Sequence, residues 1–245
     1  MGQNFFDNEI VFRGYCELRD SDSNCNILME QPEMAQLLPE LKGQCVLDLG
    51  CGFGHNCIEF IRRGAAHVTG IDISKKMLTV AQRENSHPDI EYINMSMTDI
   101  DRINGCFDLV YSSLAFHYIE DMPKLMADIA RLLKKGGILL FSQEHPIYTA
   151  SENGQGHYLF DELGNKSGFC FSHYQVPGER TDEWFIKGRK YYHRRFSDIA
   201  NAIAWAGLCI QNVAEPVPDE NMITKRPKSD AVHNPLFLII KAVKL

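Results

Sequence analysis

Nothing in the 245 residues approaches the roughly 18 consecutive apolar residues that a membrane-spanning helix needs, so no membrane anchor is expected. Cysteine pairs at metal or redox spacing are missing as well. The eight cysteines stand at 16, 25, 45, 51, 57, 106, 170 and 209, and no two are separated by two residues, which removes zinc knuckles and C-x-x-C redox pairs. No metal site is expected. Cys45, Cys106 and Cys209 sit in apolar runs, where free cysteine behaves as a small hydrophobe. Buried thiols in a reducing compartment are the expectation. Positive charge is also short: 25 Lys and Arg against 32 Asp and Glu give a net charge of −7. A broad nucleic-acid surface is not expected, because phosphate binding needs a basic footprint. The leading MGQNFFDNEIVFRGYCELRD carries acids and no apolar h-region, unlike a secretory signal. Phe6 stands where a myristoylation signal beginning at Gly2 has Ser or Thr. A cytoplasmic chain is expected.

What is present is an alternation of apolar runs and helical patterns from residue 45 onward, in a chain of about one to two domains' length. CVLDLG (45–50), HVTGID (67–72), IEYINM (90–95), CFDLVYSS (106–113) and GILLFSQE (137–144) read as strands. Between them, residues 55–63, 74–85 (capped by Ser74) and 123–135 (Pro123 first, Gly136 and Gly137 beyond the end) read as helices. Strands alternating with helices imply a parallel sheet covered on both faces, an α/β fold. The pattern stops at residues 145–190, where eight aromatics and six glycines show no sustained period. That segment is too long for a plain connection and is expected to be an inserted lid or small subdomain on the substrate side. Order returns with YYHRRF, a helix from Ser197 to Gly207, and two final strands at 209–216 and 234–245. Residues 1–44 are expected to form a helical cap. The core is thus 45–144 with 191–245.

Gly50, Gly52 and Gly54 follow the first strand and open a helix, the setting in which backbone approaches a ligand. Asp72 ends the second strand, 22 residues after Gly50, where a carboxylate can accept both hydroxyls of a ribose. A dinucleotide and S-adenosylmethionine both fit this much. Two details separate them. His55 stands where the dinucleotide fingerprint has its third glycine, and Asp48 would be awkward beside a pyrophosphate but suits a cationic amino group, directly or through water.

VLDLGCGFG, GIDIS, FDLVYSSLAFHYIED and KKGGILLFSQEHP, in this order, resemble the class I S-adenosylmethionine-dependent methyltransferases, specifically the type 11 group. The resemblance is strong over about residues 40–145. It implies a Rossmann-like seven-stranded sheet whose last strand is antiparallel, an S-adenosyl-L-methionine cofactor with S-adenosyl-L-homocysteine as product, and a set of contacts. Asp48, Gly50, Gly52 and Gly54 would line the methionyl and ribose region. Asp72 would bind the ribose hydroxyls, with Ile73 and Met77 against the adenine. Ser96 or Met97 falls where relatives place an acid on the adenine amino group, Asp99 being displaced. Ser112, Ser113 and Leu114 would pass beneath the methyl group, and Tyr15 and Arg19 of the leading helix would close over the cofactor.

Methyl transfer from a sulfonium leaves the protein to position the reactants and exclude water, with a base where the acceptor must lose a proton. His117 and His145, each just past a strand's carboxyl end, are the candidate bases, and Glu144 could orient His145 or cap the strand. In YYHRR (191–195), Tyr192 and Arg194 share one face of a strand and are candidates to bind an anionic or aromatic acceptor. A small-molecule methyl acceptor is the leading expectation. The alternatives are a protein or tRNA docked on YYHRR and the KRPK loop (225–228), or a non-catalytic S-adenosylmethionine-binding protein.

Overall fold

A computed structural model describes residues 4–19, 21, 24–151, 156–218, 220, 224 and 230–245. The leading segment forms a 3-10 turn (Phe5–Asp7), α1 (Glu9–Arg19), a π-helical turn (Asn26–Glu30) and α2 (Gln31–Leu37). The alternating stretch gives β1 (Cys45–Leu49), α3 (His55–Arg62), β2 (His67–Asp72), α4 (Lys75–Glu84), β3 (Ile90–Asn94), β4 (Phe107–Ser112), α5 (Met122–Leu132) and β5 (Leu133–Glu144). A short α6 (Pro146–Thr149) leads into two antiparallel hairpins, β6 (His157–Phe160) with β7 (Lys166–Cys170) and β8 (Gly178–Trp184) with β9 (Ile186–His193). α7 (Phe196–Trp205), β10 (Leu208–Ala214) and β11 (Phe237–Lys244) complete the chain.

Seven strands make one sheet in the order β10-β11-β5-β4-β1-β2-β3. β11 runs antiparallel to both neighbours and the other pairs are parallel, as the resemblance implies. Successive side chains of a strand point to opposite faces. In β1, Leu47 and Leu49 meet α5 and α7 residues such as Met126, Ile129, Ile199 and Ile203, while Val46 packs with Met34, Cys57 and Phe60 on the other side. Two apolar layers therefore sandwich the sheet, and each fully buried Leu, Ile or Phe contributes about 1.5–3 kcal/mol.

One carboxylate ties three strands together at the end where they begin. Asp108 Oδ2, on β4, accepts the Cys45 N–H of β1 at 2.9 Å and Lys134 Nζ of β5 at 2.7 Å. The same region explains why α5 stops three residues before the expected Lys135: Leu133 is drawn into register with Phe107. The core was expected to resume at Tyr191, but Tyr191, Tyr192 and His193 pair with Arg180, Glu179 and Gly178 of β8. β9 thus runs across the expected domain boundary at 190/191. Arg195 and Asp198, rather than Ser197, close the N-terminus of α7 through the Asp198 carboxylate. All eight cysteines are free, but Cys106 and Cys209 are exposed despite their apolar neighbours.

Candidate active site

The loops after β1 to β5 open into one cavity of about 930 Å³ at the carboxyl ends of the parallel strands. Gly50 and Gly52 line it. Gly50 has φ 78°, and a Cβ there would lie 2.8 Å from the Ala115 side chain, so only glycine lets the β1 and β4 loops approach. Gly52 donates its N–H to Asp72 Oδ2 at 2.9 Å, and Ser74 donates its own to Oδ1 at 2.8 Å. Asp72 faces the cavity with its oxygens fixed and with lone pairs to spare. Burial pushes its pKa up to about 6, against the pull of the Ser74 and Gly52 N–H groups. Ile73, Met77, Ser96 and Met97 form the adjoining wall, and Tyr15 and Arg19 of α1 close the same end.

Several expected residues lie outside the lining. Asp48 is fully enclosed beneath the glycine loop; its Oδ2 accepts the Cys57 thiol at 3.4 Å and its Oδ1 has no partner among the described residues. Burial pushes this carboxyl to about 7, and Asp48 is absent from the lining of the cavity. Gly54 packs against Tyr92, whose hydroxyl occupies the space a Cβ would need. Ser112 does not reach the cavity either, because its Oγ ties β4 to β1 through Leu49 O at 2.7 Å.

Leu114 does line the cavity, in a left-handed conformation (φ 52°) that costs a non-glycine residue about 1–2 kcal/mol. It is held there by Ser142, whose Oγ and carbonyl both accept the Leu114 N–H. Glu30, wholly buried, accepts the Ser113 and Ser142 hydroxyls and so anchors this loop from the N-terminal segment. No sequence signal marks Glu30, because a helix-forming Glu in a short turn reads as surface.

Beyond Leu114 the cavity enters an aromatic chamber. Trp184 on β8 stacks on Phe5 at 6.3 Å and meets Phe6 and Tyr15 edge-on, while Phe6 also meets Tyr118. His117, Glu144 and Tyr192 line this end. His117 is not suited to take a proton. Its Nδ1 accepts the Glu144 N–H at 3.3 Å, its Nε2 lies 3.9 Å from Glu144 Oε1, and burial lowers its pKa to about 4. The neutral ring has its one lone pair engaged. His145 is not in the lining at all: Nδ1 accepts Ile147 N–H at the start of α6, and Nε2 meets Glu215 at 2.9 Å. Arg194 is also absent from the lining, its guanidinium donating to the Glu120 and Tyr192 carbonyls at 2.9 and 3.4 Å. Arg189 and Lys190 of β9, neither of them marked by any pattern in the sequence, line the cavity instead.

The donor set fits an adenosyl amino acid. A glycine loop without side chains, a paired-acceptor carboxylate at Asp72, an unpartnered buried oxygen on Asp48 and an apolar wall at Ile73 and Met77 match a backbone-close chain, a diol, a cationic amine and a flat base respectively. Among the described residues no cluster of His, Cys, Asp and Glu could hold a metal ion, and no helix is long and apolar enough to cross a membrane.

The comparisons agree with that chemistry. Residues 47–141 match a family model described as a methyltransferase domain. The structure of an S-adenosylmethionine-dependent methyltransferase from Mesorhizobium loti is 34% identical, covers 92% of this chain and 99% of its own, and superposes with a TM-score of 0.79. An uncharacterized protein of Haemophilus influenzae is 34% identical over 98% of this chain and 96% of its own length. A trans-aconitate 2-methyltransferase of Deinococcus radiodurans is 30% identical over 59% of this chain, which spans only 56% of that relative. Fold, site and relatives together place the chain in the class I S-adenosylmethionine-dependent methyltransferases, as an enzyme that uses S-adenosylmethionine.

Proposed function

We propose that the enzyme methylates a small molecule held in the chamber between Leu114 and the β8–β9 hairpin. The observation that carries this reading is the contact of Trp184 with Phe5, Phe6 and Tyr15, by which the inserted hairpin and the N-terminal cap meet over the cavity. A covered chamber lined by aromatic rings suits a compact acceptor. Bound S-adenosylmethionine supplies an electrophilic methyl group. The chain's own task is then to orient and to exclude water: Asp72 fixes the ribose, Met77 and Met97 wall the adenine end, and the Leu114 turn shapes the passage between cofactor and acceptor. In this division of labour, the first turn with α1 and the β8–β9 hairpin cover the site and the sheet holds the cofactor. The trans-aconitate relative, which by its name acts on a small acid, supports a small acceptor here as well.

Docking of protein or tRNA on YYHRR has less support. Tyr191 and His193 are buried and the Arg194 guanidinium is spent on carbonyls. The KRPK stretch lies outside the described residues. The test is a screen of small phenols, amines and acids with S-adenosylmethionine, reading S-adenosylhomocysteine formation. Transfer to at least one small molecule is expected, and transfer only to added protein or tRNA refutes the proposal.

A further inference from the structure

The acceptor chamber carries an excess of negative charge. Glu120, Glu144, Glu179, Asp182 and Glu183 line it, against Arg189 and Lys190, while Arg19 and Asp72 line the other end of the same cavity. Lys190 meets Glu179 at 3.0 Å. Arg189 is committed on every side. Its Nε and Nη2 clamp the two oxygens of Asp182 at 2.8 and 2.5 Å, and Nη1 donates to Glu144 Oε1 at 2.7 Å and to the Tyr118 hydroxyl at 3.3 Å. Only 5% of its side chain is exposed. Its guanidinium carbon lies 4.8 Å from the Tyr191 ring centre and 5.5 Å from that of Trp184. Two carboxylates already engage this one guanidinium, so a carboxylate entering beside Glu144 finds Arg189 committed and two anions to repel it.

Glu144, by contrast, has capacity left. Its Oε2 is buried and accepts no hydrogen bond among the described residues, an omission that costs a carboxylate about 1–3 kcal/mol or more. Glu144 lines the cavity, and a donor on a bound molecule that draws Oε2 toward it would remove that cost. Tyr118 and Trp184 line the same space, and such rings attract cations through their quadrupoles, as they do the Arg189 guanidinium at 5.9 and 5.5 Å.

Resting on the small-molecule reading above, we infer that the acceptor is a small amine whose nitrogen donates to Glu144, and that the chamber rejects acceptors bearing a carboxylate in its place. The chemistry is opposite to the anionic acceptor that Arg194 suggested, and it differs from the acid named for the trans-aconitate relative.

The test is calorimetric titration of the protein saturated with S-adenosylhomocysteine. The probes are primary amines and the carboxylates of matched skeleton: benzylamine with benzoate, 2-phenylethylamine with phenylacetate, putrescine with succinate. At least one amine should bind about tenfold or more tightly than its paired acid. Glu144→Gln should abolish that preference while still binding S-adenosylhomocysteine, which reports that the variant is folded. Should Glu144→Gln fail to fold, Asp182→Asn removes one of the two charges from the other side of Arg189 and should narrow the preference. A preference for the acids, equal binding, or no amine binding at millimolar concentration overturns the inference. Methyl transfer to a carboxylic acid overturns it too while leaving the small-molecule reading intact. Transfer confined to protein or tRNA overturns that reading instead.

Discussion

The Gly52 N–H points at Asp72 Oδ2 across 2.9 Å, so the loop after β1 and the end of β2 share one carboxylate. Backbone donors hold that side chain before any ligand arrives, and preorganisation of this kind reduces the cost of binding. Asp72→Ala should weaken S-adenosylhomocysteine binding by about 1.5–3 kcal/mol, the range for hydrogen bonds to a charged group. Calorimetry on the folded variant measures it, and unchanged affinity would show that the ribose is held elsewhere.

Acid should loosen the cofactor. Burial raises Asp72 to about 6 and Asp48 to about 7, and the ionised forms are the ones that accept hydroxyls and balance an amino cation. S-adenosylhomocysteine affinity should therefore climb between pH 5 and pH 8. At pH 5, Asp72 is about one-tenth ionised, equivalent to about a tenfold loss from that group alone. The free protein should show the opposite sign. A folded carboxyl with a raised pKa binds more protons than its unfolded counterpart, so these two groups withdraw stability as pH rises from about 4 to about 7. Thermal melts with and without S-adenosylhomocysteine across this range check both slopes.

His145→Ala should leave turnover unchanged once an acceptor is known. The imidazole caps α6 and meets Glu215 outside the cavity, so its loss should register as stability, about 0.5–2 kcal/mol for a missing cap. A fall in kcat without a fall in Tm would return His145 to the site.

Trp184→Ala should separate the two ligands. Its ring joins the hairpin to Phe5, Phe6 and Tyr15, whereas the proposed cofactor contacts, Asp72 and the glycine loop, lie on the sheet side of the cavity. Transfer should fall by more than about tenfold, with S-adenosylhomocysteine affinity kept within about tenfold, or 1.4 kcal/mol. Equal losses of both would mean that the aromatic cover belongs to the cofactor site.

That Gly50, Gly52 and Asp72 line one cavity was legible in the sequence because their placement is local. Gly50 and Gly52 follow a strand directly and Asp72 ends the next one, so position along the chain gives position in space. The acceptor end was not. Arg189 meets Glu144 only because a hairpin 45 residues away folds across β5, and no period in residues 145–190 announces that hairpin. The histidines misled for a related reason. His117 and His145 do sit past strand ends, but the groups that occupy their nitrogens, the Glu144 amide and the Glu215 carboxylate, come from backbone geometry and from a loop after β10. Only the first three residues of YYHRR are strand: Tyr191 and His193 are buried with Tyr192 between them half-buried, whereas Arg194 is buried too and Arg195 already caps α7.

The double acceptance at Asp108 has a consequence for how this enzyme could be altered. It fastens β1, β4 and β5 at the edge of the sheet remote from the cavity, where no ligand has to enter or leave. The opposite edge carries the glycine turn, the Leu114 loop and Glu144. Cohesion and selectivity are thereby assigned to opposite poles of the same strands. Exchanging residues at the open pole retunes what is methylated, while the sewn pole keeps the sheet in register through the change.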